Sequence, residues 1–374
     1  MAHNPHSVVE IDLGALRDNL EVVRSAIPPS TGVLAVVKAD AYGHGALPVA
    51  RCLQEAGVEM LGVANVAEGV ELREGGITLP IVLLGGFQPG EEEEVLFNDL
   101  TPLVYRWDMA HRLASKASSL GKVAHVHLQV DTGMGRLGVP WEKAPELISS
   151  LGSLPSLRVD GMASHFATAD EDLDYARQQL QRFLWVASEA KRMGVQTRLH
   201  IANSAAIFRL PEAHLDLVRP GITLYGAHPS AAYKDRQTLP LKPVMTWKAK
   251  VADIKDHPPC SSISYGRTFL TQRKSRIAAV PVGYADGYLR CLSNRSQVVI
   301  RGIRAPVVGR VTMDWIMVDV THLSEVRLGD EVILLGGEGG ISPEELASWA
   351  DTIPYEIFCN AGRRSKRVYK GPAA

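Results

Sequence analysis

Lys38 is the residue whose type and setting point most directly to chemistry. It ends the apolar, β-branched run VLAVV at 33–37 and is followed at once by the small, polar and glycine residues of ADAYGHG. A lysine at the end of a buried strand is partly withdrawn from water, which disfavours its ammonium form and makes a neutral, nucleophilic amine accessible. A Schiff base with an aldehyde cofactor requires such an amine. The string fits equally well a surface lysine whose stem lies along apolar residues.

Further polar residues follow predicted strands later in the chain. They occur in the strings DTGMGRLG, MASHFATA, HIANSA and LVRPGITLYG and are Arg136, His165, Ser204 and Arg219. The segment 220–222 predicts a tight turn whose N–H groups, together with the Ser204 hydroxyl, suit a phosphate. An ordinary turn with a capping serine explains the same residues. With Lys38, these residues make five polar positions at five predicted strand ends. They favour one shared site, because such ends meet at one face of a parallel barrel.

The elements that position these residues alternate between short apolar strands and longer amphipathic helices. Strands are predicted at 33–37, 60–64, 80–84, 101–104, 124–130, 157–163, 198–202 and 216–218, and helices include 45–56, 65–74, 108–119, 142–151 and 172–193. Eight strands alternating with helices predict an α/β fold, a (β/α)8 TIM-like barrel. An open doubly wound sheet is the structural alternative. No Gly-x-Gly-x-x-Gly turn follows the first strand, which weakens a dinucleotide-binding version of that alternative.

The pattern changes after about residue 240, where turns rich in Gly, Pro, Asp and Asn separate the apolar runs. Strands are predicted at 246–254, 276–282, 297–308, 315–320 and 330–335, and one helix at 343–351 with Ser342 as its N-cap. We therefore expect two domains, 1–240 as the barrel and 241–374 as a mainly β domain, with a linker near Pro229–Pro243.

Composition excludes several classes of function. The 374 residues carry 40 Lys+Arg against 41 Asp+Glu, so no basic field for nucleic acid is expected. No apolar run is long enough to cross a membrane, and the first residues lack the order of a secretory signal. The four cysteines are scattered without metal-ligand spacing, which predicts unpaired thiols, a cytoplasmic protein and no metal site.

Taken together, the motifs resemble one family, the pyridoxal-phosphate-dependent alanine racemases. The matching strings run in the family's order and are VVKADAYGHG, DTGMGRLG, HFATADE, ANSAA, VRPGITLYG, ISYGRTF, VGYADGY and VGRVTMDWIMVDV. The resemblance implies a barrel, a C-terminal β domain and a homodimer with shared active sites. It also implies pyridoxal 5'-phosphate as cofactor and interconversion of L-alanine and D-alanine, which would supply D-alanine for peptidoglycan.

The resemblance assigns a set of residues to the cofactor. Lys38 would carry pyridoxal phosphate covalently, and Arg219 would face the pyridine nitrogen, with His165 beside it. The groups that would hold the phosphate are the side chains of Tyr42, Ser204 and Tyr355 and the backbone N–H groups of Gly221 and Ile222.

Other residues are assigned to the substrate and to proton transfer. Arg136 and Met313 would receive the substrate carboxylate, and Tyr265 would be the second catalytic base, supplied by the partner subunit. Three residues resemble those lining the family's access passage, namely Asp170, Tyr284 and Arg290. Two bases on opposite faces of the α-carbon let one face lose a proton while the other gains one.

One position departs from the family pattern. Gln129 stands in HVHLQVDTGMGRLG where the family commonly has a carbamylated lysine that holds the substrate-binding arginine. The Gln129 amide can accept a hydrogen bond from Arg136 but brings no negative charge. We therefore expect the fold and reaction to survive and Arg136 to be held less rigidly, with a bound anion as a substitute for the missing charge.

Alternative functions remain open at this point. A lone-barrel pyridoxal-phosphate carrier lacks the C-terminal domain, and barrel-type amino-acid decarboxylases lack the GYADGY and MDWIMVDV strings. A racemase for serine or larger amino acids is the nearest alternative. Tyr355 and Met313 resemble groups that keep the alanine pocket small, although one methylene is worth only ~1–3 kcal/mol of discrimination.

Overall fold

The structure is a computed structural model that describes residues 4–229 and 239–371. The chain divides into two compact units. The barrel unit comprises Leu20–Ala41 and Ala46–Leu224, and the β unit takes its residues from Met1–Asn19, Tyr42–Gly45 and Tyr225–Ala374. Much of the predicted linker, residues 230–238, lies outside the described residues, so the boundary between 240 and 241 stays a prediction.

The strands are short, as expected for apolar runs bounded by turns. In chain order they are β1 (Asn4–Asp12), β2 (Gly32–Val36), β3 (Met60–Val63), β4 (Ile81–Leu83), β5 (Leu100–Val104), β6 (Ala124–Asp131), β7 (Val139–Pro140), β8 (Leu157–Ala163), β9 (Arg198–Asn203), β10 (Leu217–Arg219), β11 (Met245–Lys250), β12 (Asp253–His257), β13 (Ser262–Ile263), β14 (Phe269–Leu270), β15 (Ser275–Val280), β16 (Gln297–Ile300), β17 (Ile303–Pro306), β18 (Ile316–Asp319), β19 (Glu331–Leu335) and β20 (Ser365–Lys370).

The helices lie between the strands of the barrel and near the end of the chain. They are α1 (Leu13–Ser25), α2 (Lys38–Gly43), α3 (Ala46–Glu55), α4 (Val66–Glu74), α5 (Glu92–Phe97), α6 (Trp107–Ser119), α7 (Ala144–Leu151), α8 (Leu173–Arg192), α9 (Ser204–Arg209), α10 (Pro343–Ala350) and α11 (Pro354–Asn360). Short 3-10 turns occupy Trp141–Lys143, Pro211–Ala213, Ile222–Tyr225, Tyr265–Arg267, Tyr284–Asp286 and Arg290–Leu292.

Eight parallel strands close the barrel. The order β2, β3, β4, β5, β6, β8, β9, β10 returns to β2 through the pairing of Leu217 with Gly32. Every predicted strand between 33 and 218 matches one of these eight within two residues. The prediction of a closed (β/α)8 barrel is confirmed, and the open doubly wound alternative is wrong.

The β unit is built on a six-stranded sheet in the order β17, β16, β19, β11, β1, β20. Strand β1 lies between β11, which runs antiparallel to it, and β20, which runs parallel. The unit also contains a three-stranded sheet, β12-β15-β18, and the small pair β13-β14. A mainly β second unit was predicted and is confirmed.

Several details of the β unit differ from the prediction. The run 297–308 is not one strand but the antiparallel hairpin of β16 and β17, because the chain turns back at residues 301–302. Strands β1, β13, β14 and β20 were not predicted. The run 246–254 holds two strands, β11 and β12, because the chain changes sheets between them. A second helix, α11, follows α10, although only the first was predicted. The prediction of α10 is confirmed, and so is its N-cap: the Ser342 hydroxyl accepts a hydrogen bond from the Glu345 N–H at 3.1 Å.

Within the described residues, no helix is both long enough and apolar enough to cross a membrane.

Candidate active site

Five of the polar residues singled out in the sequence lie at the carboxyl ends of barrel strands. Lys38 begins α2 directly after β2, and Arg136 lies in the loop after β6. His165 follows β8 by two residues, Ser204 follows β9, and Arg219 ends β10. In barrels of this kind, the carboxyl ends of the strands carry the reacting groups. The predicted clustering at one face of the barrel is therefore confirmed.

The segment after Lys38 turns in the left-handed sense. Residues 39–42 have φ between +52° and +54°, and Gly43 continues at +77°. Successive non-glycine residues in this region cost about 1–2 kcal/mol each relative to the right-handed form. Glu68 ties down the start of the turn by accepting from the Ala39 N–H at 2.9 Å, and Asp40 accepts from the Ala46 N–H at 2.7 Å. Strain of this kind persists where the surroundings fix the backbone, often at functional sites.

Arg219 is buried, and among the described residues no carboxylate pairs with it. Nη1 donates to His200 Nδ1 at 2.7 Å and to the His200 carbonyl at 2.8 Å. Nη2 donates to the Ser164 carbonyl at 2.5 Å, to the Ile201 carbonyl at 3.2 Å and to His165 Nδ1 at 3.2 Å. Burial, and then the charge of Arg136, lowers the Arg219 pKa to about 10, so the guanidinium stays charged at neutral pH.

The histidines around Arg219 are held neutral. Burial lowers the pKa of His165 well below its usual range, and the charges of Arg219, Arg136 and Lys38 lower it further. His200 behaves in the same way, first through burial and then through Arg219. The positive charge at this face of the barrel therefore rests on arginine and lysine side chains. A buried cluster of that kind suits an anionic ligand.

A small cradle of donors lies beside Arg219. The Gly221 N–H donates to Ser204 Oγ at 2.9 Å, and the Thr223 hydroxyl lies 3.2 Å from the same oxygen. Asn203 caps α9 by accepting from the Ala206 N–H at 3.1 Å, which fixes where Ser204 begins the helix. Two hydroxyls and backbone N–H groups are suitable donors for a phosphate. Thr223 was not predicted, because a threonine inside an apolar turn carries no distinguishing sequence signal.

Arg136 lies in a loop shaped by Asp131. The Asp131 carboxylate accepts from the N–H groups of Gly133, Met134 and Gly135 at 2.9, 2.9 and 3.1 Å. Arg136 itself is exposed, and Gln129 is buried in β6. Within residues 4–229 and 239–371 no hydrogen bond joins these two side chains, and the expectation that Arg136 is held less rigidly stays a prediction.

The β unit carries a tyrosine cluster. Tyr42 is buried, with its ring centroid 4.9 Å from that of Tyr225 and 5.8 Å from that of Tyr355. Burial, and then the neighbouring Tyr355 and Cys359, raises the Tyr42 pKa far above its usual value, so the phenol stays protonated. A buried phenol donor of this kind fits a phosphate oxygen.

Tyr265 lies at the tip of a short hairpin. Strands β13 and β14 pair on either side of it, and the flanking Ser264 and Gly266 both have positive φ, +61° and +70°. Ser264 Oγ donates to the Arg310 carbonyl at 2.6 Å, which pins the base of the tip. The Tyr265 side chain is 72% exposed, so within a single chain it projects into solvent.

Backbone hydrogen bonds join the segment that begins at Tyr284 to the segment that contains Met313. The Tyr284 N–H donates to the Thr312 carbonyl at 3.0 Å, and the Ala285 N–H donates to the Met313 carbonyl at 3.1 Å. The neighbouring Asp286 is fully buried and accepts from Arg364 Nε and Nη2 at 2.9 Å each. This ion pair explains the acidic residue in GYADGY, which the sequence did not assign.

The structure thus groups the predicted residues within each unit. The barrel unit gathers Lys38, Arg136, His165 and Arg219 and joins Ser204 to Gly221, while the β unit holds Tyr42 next to Tyr355 and carries Tyr265 and Met313. Their roles in binding and catalysis stay predictions. His200 was missed, because a histidine within a strand gives no sign in sequence of the side chain that it contacts.

The comparisons with known proteins agree along the whole chain. The family models for the alanine racemase N-terminal and C-terminal domains match residues 11–229 and 244–369. An alanine racemase of Geobacter sulfurreducens is 48% identical, with 98% of each chain covered. The alanine racemase structure of Clostridium difficile has a TM-score of 0.92 at 40% identity, covering 99% of this chain and 97% of its own.

A further solved structure bears on the cofactor. It is an alanine racemase from Bartonella henselae with covalently bound pyridoxal phosphate, with a TM-score of 0.88, 32% identity, and coverage of 98% of this chain and 100% of its own. The buried guanidinium, the donor cradle and the strand-end lysine of the present chain fit such a group. This chain belongs to the alanine racemase family of pyridoxal-phosphate-dependent isomerases.

Proposed function

We propose that this enzyme interconverts L-alanine and D-alanine with two bases, Lys38 and Tyr265, one for each face of the α-carbon. The observation that carries the proposal is the surroundings of Arg219. A buried guanidinium there contacts carbonyl and imidazole acceptors only, within the described residues, at the same face of the barrel as Lys38.

The cofactor, when bound, supplies the electron sink that makes the α-proton removable. Arg219 sets the character of that sink because arginine has no acceptor and does not deprotonate in proteins. A guanidinium facing the pyridine nitrogen would keep that nitrogen unprotonated, which would limit delocalisation of negative charge into the ring. Return of the proton to the α-carbon is then favoured over transamination.

Lys38 and Tyr265 hold and move the proton. Lys38 Nζ would hold the cofactor and would serve as the base for one face of the α-carbon. The Tyr265 hydroxyl serves the other, and an unperturbed tyrosine pKa of about 10 requires nearby positive charge for work near neutrality. Arg219 supports that role, since it stays charged while His165 stays neutral.

Arg136 and Met313 orient the substrate by its carboxylate. The loop built on Asp131 presents Arg136, and the turn at Tyr284 and Ala285 fixes the backbone of Met313. Gln129 lowers the rigidity of Arg136 rather than changing the reaction. Substrate affinity is therefore the quantity that this departure affects.

A homodimer completes each site. Tyr265 and Met313 are 72% and 53% exposed in the single chain, which supports their entering a site on a partner subunit. Tyr284, Arg290 and Asp170 line the passage by which substrate enters. The cellular role is the supply of D-alanine for peptidoglycan in the cytoplasm.

The test measures, in variants, the exchange of the α-proton of each alanine enantiomer with solvent. The exchange is monitored by proton NMR in heavy water. Tyr265→Phe should lower racemisation by at least ~100-fold, the usual contribution of a positioned general base, while one enantiomer of alanine still exchanges its α-proton through Lys38. Lys38→Ala should abolish exchange of both enantiomers. Tyr105→Phe is the matched control and should behave as wild type. Near-normal racemisation by Tyr265→Phe would exclude Tyr265 as a base.

A further inference from the structure

Four side chains form a continuous hydrogen-bonded chain inside the barrel, here named the imidazole chain: His127, His200, Arg219 and His165. His127 Nδ1 lies 2.9 Å from His200 Nε2, and His200 Nδ1 lies 2.7 Å from Arg219 Nη1. Arg219 Nη2 lies 3.2 Å from His165 Nδ1. The first three of these residues come from β6, β9 and β10. Two hydrogen bonds, through His200, separate His127 from Arg219. His127 has no part in the proposed reaction.

Donor and acceptor chemistry fixes the direction of this chain. Arginine only donates, so His200 Nδ1 must present a lone pair. A neutral His200 then carries its proton on Nε2 and donates it to His127 Nδ1. His127 Nδ1 must in turn be a lone pair, and the proton of His127 is on Nε2. The chain is consistent in one tautomeric arrangement only.

The protein builds a specific place for the His127 ring. His127 is fully buried, and it pairs with Gly161 of the neighbouring strand β8. A Cβ at Gly161 would lie 2.5–2.6 Å from three atoms of the His127 ring, so glycine is the only residue that leaves room for it. The outer nitrogen, Nε2, has no hydrogen-bond partner in the described residues. A buried donor without a partner is costly, so packing alone does not explain a histidine there.

We propose that His127 is a positioning residue: by accepting the His200 Nε2–H it stabilises the tautomer of His200 that Arg219 requires, and thereby holds the Arg219 guanidinium in place. This inference rests on the proposed function for its effect on catalysis. With the other tautomer of His200, an N–H group would face the Arg219 N–H donors at 2.7 Å, and the guanidinium would have to move. Carbonyl acceptors alone would then orient Arg219.

The first test reads the tautomers directly. Nitrogen-15 NMR of histidine-labelled, full-length protein, with and without pyridoxal phosphate, should report both His127 and His200 as neutral with the proton on Nε2. Signals are assigned with His127→Asn and His200→Asn. A proton on Nδ1 of either residue in the wild-type protein would overturn the inference, and this result does not depend on any enzymatic activity.

The second test uses variants that separate the lone pair from the ring. His127→Phe keeps a ring without an acceptor, and His127→Asn keeps an acceptor oxygen near the position of Nδ1. The ratio of transamination to racemisation should rise roughly tenfold in His127→Phe, as expected for loss of one hydrogen bond in a charged network, and return toward wild type in His127→Asn. His214→Phe is the control, since His214 is a buried barrel histidine bonded instead to the Ile207 carbonyl at 2.8 Å.

The outcomes distinguish positioning from general damage. Loss of packing would lower both rates alike and leave their ratio unchanged, which would contradict the inference. An equal ratio in His127→Phe and His127→Asn would also contradict it. If His127→Phe does not fold, the inference is still tested by the tautomers of the wild-type protein and by the ratio of transamination to racemisation in His127→Asn. Absence of racemisation by the wild-type protein would instead count against the proposed function and leave the NMR result standing.

Discussion

A buried guanidinium with no carboxylate beside it is costly, because the charge gives up its hydration. Arg219 is such a group among the described residues, and it offsets part of that cost through three carbonyl and two imidazole acceptors. A bound ligand with an acceptor or a negative charge would supply the rest. At the scale of the residue, the chemistry of the site is therefore set by which groups stay charged and which stay neutral.

Replacing the charge at Arg219 should change the reaction that the site favours. Arg219→Glu places a carboxylate where it can keep the pyridine nitrogen protonated, so transamination should rise relative to racemisation. Measurement of pyruvate formation and of alanine enantiomers in the same reaction gives the ratio. An unchanged ratio of transamination to racemisation would contradict the assignment of Arg219 to the ring nitrogen.

The buried histidines predict acid sensitivity of the fold. The His127 pKa is lowered to about 4, first by burial, against 6.5 when unfolded. The unfolded chain therefore binds the proton first as pH falls, and stability is lost between pH 6.5 and 4, by about 2 kcal/mol at pH 5 from this residue. We expect the free energy of unfolding, measured by urea denaturation of the apoprotein, to fall between pH 7.5 and pH 5. The fall should be smaller by that amount in His127→Asn than in the wild-type protein. An identical decline in both proteins would contradict a neutral His127.

At the scale of elements, the left-handed turn after Lys38 is the feature that local sequence least explains. Ala39, Asp40, Ala41 and Tyr42 have no intrinsic preference for positive φ, yet all four adopt it. Hydrogen bonds accepted by the Glu68 and Asp40 carboxylates hold the start of the turn in the barrel unit. The strain fixes the directions in which Lys38 and Tyr42 leave the backbone.

Glycine at position 39 should relieve part of that strain. Ala39 is exposed with φ +54°, so Ala39→Gly should stabilise the protein by about 1 kcal/mol, since glycine adopts this region without cost. Ala187→Gly, the same change within the right-handed helix α8, should destabilise by about 1 kcal/mol. Equilibrium denaturation shows whether each variant has a higher or a lower free energy of unfolding than the wild-type protein. Destabilisation in both would mean that the turn is not strained.

The elements that sequence predicts well are those whose signal is local. Each barrel strand is a short apolar run, and the α8 and α10 helices carry Asp172 and Ser342 as caps. Strand β1 was not predicted, because it is stabilised by β11 and β20, which lie more than two hundred residues away in sequence. Helix α11 was missed for a related reason, since seven residues beginning with proline give little periodicity.

The same reasoning separates the predicted and unpredicted parts of the site. Lys38, Arg136, His165, Ser204 and Arg219 could be placed because strand ends can be located from composition. The contacts of Arg219 with His200, and of His200 with His127, depend on which strands become neighbours, and only the closed barrel determines that. The ion pair of Asp286 with Arg364 likewise joins segments that are distant in sequence.

At the scale of the whole molecule, the groups proposed to act in a partner's site are exposed in the single chain. Tyr265 and Met313 are 72% and 53% exposed, and Tyr284 of the proposed access passage is 41% exposed. A second copy of this chain is the partner that the proposed function requires.

Subunit mixing tests that arrangement. Lys38→Ala and Tyr265→Phe homodimers should each be nearly inactive, but a mixed dimer holds one intact site, with Lys38 from one chain and Tyr265 from the other. After exchange at equal concentrations, about a quarter of wild-type activity should return, because half the dimers are mixed and each has one working site of two. No return of activity, with exchange shown by labelled subunits, would mean that each chain completes its own site.

Proton NMR of D-alanine in heavy water, with the purified protein and pyridoxal phosphate, is the most direct measurement of two-faced proton transfer. Chiral analysis of the product accompanies it. The α-proton signal should disappear while L-alanine forms, since a proton removed on one face is replaced from solvent on the other. Exchange that leaves the alanine entirely in the D configuration would contradict the two-base proposal and show that a single base works at the site.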